Sequence, residues 1–327
     1  EFLGIEKNDI NSIMSFFEKY GFLFNLNYYE QYVTFDLEDI MYLKDSLEAL
    51  INLLNAQGVQ HINYKKFLDS VLFLLLKEDR DIKINDESVY KSVENSFLHN
   101  IKSATRVNLY EGEGIEHIDR DDGGIDIIYR CEDSTVKNGY YDIKINDYDN
   151  FLENEGSYSE FLKQVLKSYA IKKSLFNKRE EKAIEFLFHF MLQISTIDLE
   201  LLSLDMPFEP EVYSKIESEE NKYLQDGLLK ISKYLIEREL NYHLAEIRPV
   251  YNVETMQPNW KLPSLLSAMY LSLFYLDSRQ GSYRACQNMN CGQFFLVSKT
   301  NSIKKYCCTD CTNAVSQRKY RKKNRER

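Results

Sequence analysis

The sequence of 327 residues lacks any uninterrupted apolar run of the roughly 18–20 residues that a membrane-spanning helix needs. Its two most apolar stretches, 186–194 and 262–276, are broken by His189 and Gln193 and by three serines, respectively. Residues 1–4 also lack the basic segment and apolar core of a secretory signal. We therefore expect no membrane partner and a cytoplasmic location, where cysteines stay reduced.

Motifs of several common enzyme classes are absent as well. The chain has no phosphate-binding Walker loop, no dinucleotide fingerprint and no Gly-x-Ser-x-Gly elbow. The acidic loop of Asp119, Asp121 and Asp122 does not fit an EF-hand, because the fifth position of such a loop would be Gly123. The sequence thus favours a protein without catalytic activity.

Charge is distributed unevenly along the chain. The net charge is −10, yet residues 281–327 hold eleven Lys and Arg against Asp310 and Glu326, so this segment carries +9 and residues 1–280 carry −19. Nucleic acid repels an acidic body and attracts a basic tail. Any contact with a polyanion is therefore predicted to involve the tail.

Apolar residues at helical spacing dominate most of the chain upstream of the tail. Alternating apolar residues replace that pattern over about 104–147, where Asn138-Gly139 is a strong hairpin turn. Three prolines between 249 and 263 indicate a short extended segment. The predicted helices run from Asn8 or Asp9 to Tyr20, from Asp36 to Gly58, and over 63–77, 87–101, 159–176, 179–204, 211–243 and 264–278.

Five of the six cysteines lie near the C-terminal end. Cys286 and Cys291 enclose four residues, fifteen follow, and Cys307 and Cys311 enclose three. Short pairs of cysteines on two tight turns are typical of sites that hold Zn²⁺ by four thiolates. Cys308 is an alternative third ligand, but a ligand one helical turn before Cys311 favours Cys307.

The local structure predicted around these cysteines is a strand over 292–297, a return strand over 304–306 and a helix that Thr309 or Asp310 caps. Four thiolates leave no open coordination position, and residues 281–327 contain no His. Because a catalytic zinc keeps a position open for water, the predicted cofactor is one structural Zn²⁺.

The helix that begins near Cys311 is strongly basic, and we expect it to contact nucleic acid through the phosphates. Arg318, Arg321 and Arg325 recur at helical spacing and share a face. The alternatives are a solvated tail and a tail that docks on a protein. One short helix offers few base contacts, so a sequence-specific protein is expected to bind as a homodimer. The candidate phosphate contacts are Arg318, Lys319, Arg321, Lys322, Lys323, Arg325 and Arg327.

Three motifs follow one another here: Cys-x4-Cys-Gly-x-Phe-Phe, Lys-Tyr-Cys-x3-Cys-x-Asn, and the basic run Gln-Arg-Lys-Tyr-Arg-Lys-Lys. Over about residues 262–327 they resemble the treble-clef zinc fingers of the CGNR family, although Cys-Thr-Asn-Ala stands where that family's motif reads Cys-Gly-Asn-Arg. In that family the finger follows a mostly helical domain called ABATE. The resemblance implies a transcription regulator that binds DNA rather than RNA, with a body that senses a ligand or mediates oligomerisation.

The predicted fold class is therefore mainly α (α+β), with a helical body, a small antiparallel β-sheet insertion and a C-terminal treble-clef zinc finger. The predicted domains are an N-terminal helical region at 1–103, the sheet at 104–147, a second helical region at 148–280, and the zinc finger with its basic helix at 281–327.

Two other functions compete with this interpretation. Arg238 and His243 match the Arg-x4-His spacing of HEPN-type ribonucleases, which resemble this chain in being helical. In that case the body is an enzyme and the finger binds its RNA substrate. The third hypothesis is a protein-interaction module with a purely structural finger. A ribonuclease requires the side chains of Arg238 and His243 to converge on an open cleft.

Overall fold

The protein is mainly helical in its described part, with four small antiparallel sheets, and this confirms the predicted fold class. None of its described helices has the length and apolar character needed to cross a membrane. The backbone alone is described at 104, 115–118, 125–133, 139–145 and 322–325. The computed structural model describes residues 2–5, 9–25, 35–58, 61–84, 86–104, 115–119, 121, 125–133, 139–145, 161–162, 164–165, 168–169, 176–205, 208–276, 281–291, 293–298 and 303–325.

Helices and short hairpins alternate along the chain. The sheet β3–β4–β5 has three strands, and the pairs β1–β2, β6–β7 and β8–β9 are two-stranded. The helices are α1 (Ile10–Tyr20), α2 (Leu37–Ala56), α3 (Tyr64–Leu76), α4 (Ser96–Ala104), α5 (Lys178–Gln193), α6 (Pro210–Glu217), α7 (Lys222–Leu244), α8 (Leu265–Phe274) and α9 (Thr309–Arg325). The strands are β1 (Asp81–Ile84), β2 (Glu87–Lys91), β3 (Ile115–Asp119), β4 (Ile125–Asp133), β5 (Gly139–Ile145), β6 (Arg248–Asn252), β7 (Gln257–Lys261), β8 (Gly281–Ala285) and β9 (Phe294–Ser298).

The chain divides into two compact units, each assembled from separate stretches. Unit 1 comprises Glu1–Asn63, Arg80–Val93 and Ile236–Arg327, and unit 2 comprises Tyr64–Asp79 and Glu94–Leu235. The C-terminal cysteines therefore belong to the same unit as the first two helices.

Unit 1 is built around helices α1 and α2. Asp9 caps α1 by accepting from the N–H groups of Asn11 and Ser12, and Asp36 caps α2 by accepting from the N–H of Glu38 at 3.0 Å. Both helices are confirmed close to their predicted bounds. The buried core of this unit comprises Phe2, Ile5, Ile13, Phe16, Leu23, Phe24, Ile40, Leu43, Leu47, Leu50, Ile51, Leu54, Ile82, Ile84, Tyr90, Leu266, Tyr270 and Leu273.

The prediction of a helix over 87–101 is wrong for the first half of that range. Strand β2 occupies 87–91 and pairs with β1, and helix α4 begins only at Ser96. The turn between the strands includes Asp86 at a φ of +64°, a left-handed conformation that Asp tolerates better than most residues. Ile82, Ile84 and Tyr90 are buried in the core of unit 1, and this burial stabilises a strand in place of a helix.

Two predicted helices are shorter than expected. Helix α5 begins after the cap Asn177, near its predicted start, but ends at Gln193 and does not reach residue 204. The helix predicted over 211–243 is divided at Ser218, whose ψ of 140° is extended and whose side chain caps the next turn. Serine interrupts helices readily because its hydroxyl group competes for backbone partners.

The extended segment predicted near residues 249–263 is a hairpin, β6–β7. Pro249 lies opposite Trp260, and Pro258 lies opposite Tyr251. Both strands of a two-stranded sheet are edges, so a proline can occupy a position whose missing N–H would point away from the partner strand.

Helix α3 lies in unit 2 and is buried on nearly all sides, from Phe67 to Leu76. Asn95 fixes the start of α4, because its side chain accepts from the N–H of Leu98 at 3.2 Å and donates to the carbonyl oxygens of Leu75 and Lys77 at 2.8 and 3.0 Å. These bonds tie the end of α3 to the beginning of α4.

The rest of unit 2 is described in part. The sheet predicted over 104–147 is confirmed as β3–β4–β5, with β5 beginning at Gly139. The predicted alternation at 107–109 and turn residue Asn138 lie outside the described residues. Most of the helix predicted over 159–176 also lies outside them, although its described positions from Phe161 to Tyr169 are helical.

Asp69 is a half-buried carboxyl group of unit 2. The Tyr213 hydroxyl donates to it, at 2.9 Å from Oδ1 and 3.0 Å from Oδ2, and accepts from the N–H of Phe208 at 2.8 Å. Burial raises the pKa of Asp69 to about 6, although the hydrogen bond from Tyr213 opposes the rise. The folded protein therefore retains a proton that the unfolded chain releases near pH 3.8.

We predict that the free energy of unfolding falls as the pH rises from about 4 to 6, because the folded state binds more protons than the unfolded state in this window. Asp69→Asn should flatten that dependence and raise the free energy of unfolding at pH 7 by on the order of 1 kcal/mol, since a partly exposed charge is removed. Urea unfolding at several pH values measures both effects. The exposed Glu220→Gln is the control, and an unchanged pH profile for Asp69→Asn would contradict the prediction.

Candidate metal centre

Four thiol groups converge where the β8–β9 hairpin meets the start of helix α9. The Sγ atoms of Cys286, Cys291, Cys307 and Cys311 all lie within 4.8 Å of one another. We call these residues the cysteine tetrad. Cys286 and Cys311 are buried, and Cys291 and Cys307 are half-buried.

The first pair of the tetrad is held by the turn between β8 and β9, which we call the knuckle (residues 286–291). The Cys286 N–H donates to the carbonyl oxygen of Gln293 at 2.8 Å, which continues the ladder of the hairpin. Inside the knuckle, the Cys291 N–H donates to the carbonyl oxygen of Asn288 at 2.8 Å. These two bonds close the turn and bring the thiols of the pair together.

The strand pairing around the tetrad differs from the prediction. Strand β9 lies close to the predicted strand at 292–297, but its partner is β8, which precedes the knuckle. Residues 304–306, predicted as the return strand, form no strand. Instead, the carbonyl oxygen of Lys305 accepts from the N–H of Gln287 at 3.0 Å, which ties the segment before α9 to the knuckle.

The sulfur positions fit a tetrahedral metal ion. A tetrahedron with metal–sulfur bonds of about 2.3 Å has sulfur–sulfur edges of about 3.8 Å. The Cys307 sulfur lies 3.5 Å from that of Cys291 and 3.6 Å from that of Cys311. The Cys307 N–H also donates to the Cys286 sulfur at 3.5 Å, a bond that stabilises a thiolate. The cysteine tetrad can therefore hold a metal ion.

Burial and hydrogen bonds act on the thiols in opposite directions. Burial opposes ionisation of Cys286, but N–H groups of Asn288 and Cys307 outweigh it and lower the pKa. Burial and the neighbouring thiols raise the pKa of Cys307. The Asn288 amide lowers the pKa of Cys311, yet burial and the Cys291 thiol raise it to about 11. Four thiols this close need a cation to ionise together at neutral pH, so metal binding should release protons.

Cys308 lies beside the tetrad without belonging to it. Its side chain is exposed, and its sulfur is 3.7 Å from that of Cys307. The structure groups Cys307, and not Cys308, with the other three cysteines. Cys307 is one helical turn before Cys311, which is the spacing expected for the third ligand.

Asn288 and Arg318 form a second layer around the tetrad that the sequence did not indicate. The Asn288 amide donates to the Cys311 sulfur at 3.3 Å, and the Arg318 guanidinium group donates to the Asn288 side-chain oxygen. Arg318 also donates to the Asn290 side chain at 3.3 Å. The only sequence signal for Asn288 is its place between the first two cysteines.

Asn55 on helix α2 binds strand β8, and the sequence did not indicate this contact either. Its Nδ2 donates to the carbonyl oxygen of Tyr283 at 2.6 Å, and the Tyr283 N–H donates to its Oδ1 at 2.9 Å. Tyr283 and Phe294 pack against the core of unit 1 as well. The hairpin that carries the first cysteine pair is thus attached to the helical core.

The candidate phosphate contacts are distributed along the second half of α9. Arg318, Lys319 and Arg321 are all exposed, and Arg318 is also bonded to the knuckle. The remaining candidates have side chains outside the described part of the chain: Lys322, Lys323, Arg325 and Arg327.

Arg238 and His243 lie near the end of α7 and share the Glu239 carboxylate as a partner. Arg238 Nη2 is 3.2 Å from Oε1, His243 Nε2 is 3.8 Å from Oε2, and the two side chains are 12% and 6% exposed. The His243 ring is stacked between Tyr270, at 3.7 Å between centroids, and Tyr90, at 5.7 Å. His243 lines a cavity of about 600 Å³ whose lining does not include Arg238. This placement does not favour a ribonuclease site.

No protein-family model, curated protein or solved structure matches the chain. The geometry alone defines the class of site. The site consists of four cysteines whose sulfur atoms are close enough together to bind one metal ion. A basic helix begins between the two cysteines of the second pair.

We predict that Cys307→Ser lowers the metal content to well below one ion per chain, because a tetrahedral site loses one of its four ligands. Cys308→Ser leaves the tetrad intact and should keep one ion per chain. Elemental analysis of both proteins, purified without chelator, measures the difference. Metal loss in Cys308→Ser alone would instead make Cys308 the third ligand.

We predict that Asn55→Ala lowers the free energy of unfolding by about 1–3 kcal/mol, because two half-buried backbone groups of Tyr283 lose their partners. Glu48→Ala, on the same helix, is the control and should change it little. Denaturant unfolding measures the free energy, and hydrogen exchange should show faster exchange in β8. Equal unfolding curves for the two variants would show that the Asn55 bonds do not hold the hairpin.

Proposed function

We propose that the cysteine tetrad holds one structural Zn²⁺. Thiolates are soft ligands that suit zinc, and four of them complete its tetrahedral shell. Cys286, Cys291, Cys307 and Cys311 would then leave no position for water or substrate, so the ion stabilises the fold around it. The cytoplasm keeps such thiols reduced, and we place the protein there.

We propose further that helix α9 binds nucleic acid, and DNA in particular. The observation that supports this most directly is the position of the helix relative to the tetrad. Its first turn contains Cys311, so the metal ion holds one end, and its later turns present the exposed side chains of Lys319 and Arg321. A helix of 17 residues is about 25 Å long, enough to lie along several phosphates.

Charge and surface chemistry favour nucleic acid over a protein as the partner of this helix. Residues 281–327 carry +9, whereas the rest of the chain carries −19 and would be repelled by phosphates. Among the described side chains of α9, Tyr320 is the one large hydrophobic residue that is exposed. A protein partner would find little apolar surface there.

The regulatory role follows the resemblance to CGNR-type fingers. In this proposal the chain is a transcription regulator whose helical body senses a ligand or mediates oligomerisation. A single helix reaches only a few base edges, so sequence-specific binding would require a homodimer that contacts two half-sites.

We predict that binding of the full chain to a short DNA duplex weakens as salt increases, because each phosphate contact releases a counterion and contributes about −0.9 to the slope of log K against log[salt]. Lys319→Ala and Arg321→Ala should each reduce the steepness of the slope by about 0.9. Fluorescence anisotropy over a series of NaCl concentrations measures the slopes.

The exposed Lys233→Ala on helix α7 is the matched control and should leave the slope unchanged. Binding that is independent of salt, or that neither α9 substitution alters, would refute the proposal and favour a tail that docks on a protein.

A further inference from the structure

The guanidinium group of Arg318 makes hydrogen bonds within its own unit. Its Nη2 donates to Asn288 Oδ1, its Nη1 donates to Asn290 Oδ1 at 3.3 Å, and its Nε donates to the carbonyl oxygen of Ala314 at 3.3 Å. All three nitrogens of the group therefore have partners in the protein. Lys319, the next residue along α9, makes no such contact within the described part of the chain.

Asn288 connects Arg318 to two members of the tetrad. Its side-chain amide donates to the Cys311 sulfur at 3.3 Å, and its backbone carbonyl oxygen accepts from the Cys291 N–H at 2.8 Å. The residue is only 7% exposed, so water competes little for these bonds.

The chemistry of the partners determines which way the Asn288 amide points. A guanidinium group has donors only, so the amide oxygen must face Arg318. The amide NH₂ group must then face the other way, toward the Cys311 sulfur. Arg318 thus sets the orientation in which Asn288 can donate to a thiolate.

We propose that Arg318 is a positioning residue of the metal centre and not a phosphate contact. It orients the Asn288 amide toward the Cys311 thiolate and holds α9 against the knuckle. The inference rests on the proposed zinc site, in which four thiolates around a divalent ion leave two excess negative charges. An amide polarised by a neighbouring cation partly offsets that charge at the sulfur it contacts.

The assignment changes how the basic helix is divided. Arg318 attaches the helix to the knuckle although its side chain is exposed, and Lys319 and Arg321 remain available to phosphates. The anchoring residue therefore lies directly before Lys319, the first cation of the proposed binding surface.

Co²⁺ titration of the full chain tests the proposal, because Co²⁺ takes tetrahedral thiolate sites and its charge-transfer absorption reports electron donation by sulfur. We expect Arg318→Ala and Asn288→Ala to shift this absorption and to weaken Co²⁺ binding about tenfold each. The double variant should be no weaker than Asn288→Ala alone, because Arg318 acts through Asn288. Lys319→Ala is the matched control and should bind Co²⁺ as the unaltered chain does.

A second variant covers the case in which Arg318→Ala fails to fold. Asn288→Asp keeps the oxygen that accepts from Arg318 but loses the amide donor, so the absorption should still shift. The salt series for DNA binding supplies an independent readout. Arg318→Ala should leave the slope of log K against log[salt] unchanged, whereas Lys319→Ala should make it less steep.

The outcomes separate this inference from the proposed function. If the unaltered chain binds no Co²⁺, the metal site itself is refuted, and the inference is refuted with it. If it binds Co²⁺ and Arg318→Ala behaves like Lys319→Ala in absorption and affinity, only the positioning role is overturned. A slope reduced by about 0.9 in Arg318→Ala would likewise overturn it and make Arg318 a phosphate contact.

Discussion

The convergence of four thiols on one point is the constraint on which the C-terminal part of unit 1 depends. Sulfur atoms 3.5–3.6 Å apart repel one another once ionised, so their arrangement needs both a cation and a rigid backbone. The backbone is supplied by two separate pieces, the knuckle and the start of α9. The bond from Gln287 to Lys305 and the bond from the Cys307 N–H to the Cys286 sulfur join the two pieces.

The hairpin that carries the knuckle is also part of the helical core of unit 1. Asn55 satisfies both backbone groups of Tyr283, and the side chains of Tyr283 and Phe294 pack against that core. Small metal-binding segments have little apolar surface of their own and depend on the metal for stability. Here a second source of stability exists, because the strand before the first cysteine pair is anchored to α2. The position of the first cysteine pair is therefore tied to the helical core as well as to the rest of the tetrad.

Charge is organised around the same centre. The excess of Lys and Arg lies in the last part of an otherwise acidic chain, and the helix that bears it begins within the tetrad. Its three cations with described side chains, Arg318, Lys319 and Arg321, are all exposed, but only Arg318 is bonded to the knuckle. A count of basic residues therefore does not separate cations that are bonded within the protein from cations that are not. In the helical body, Arg238 illustrates the same distinction, since its guanidinium group is 3.2 Å from the buried Glu239 carboxylate.

The sequence by itself determined what depends on local spacing: helices α1 and α2 with their caps, the sheet β3–β5, and the four cysteines at metal-ligand intervals. Tertiary structure alone decided what depends on distant partners. Burial against the core of unit 1 makes 87–91 a strand. Strand β9 pairs with β8, which precedes the knuckle, and not with the predicted partner at 304–306, which follows β9. Asn288 and Arg318 are thirty residues apart, and no local pattern links them, so their contact exists only because the chain folds back on itself.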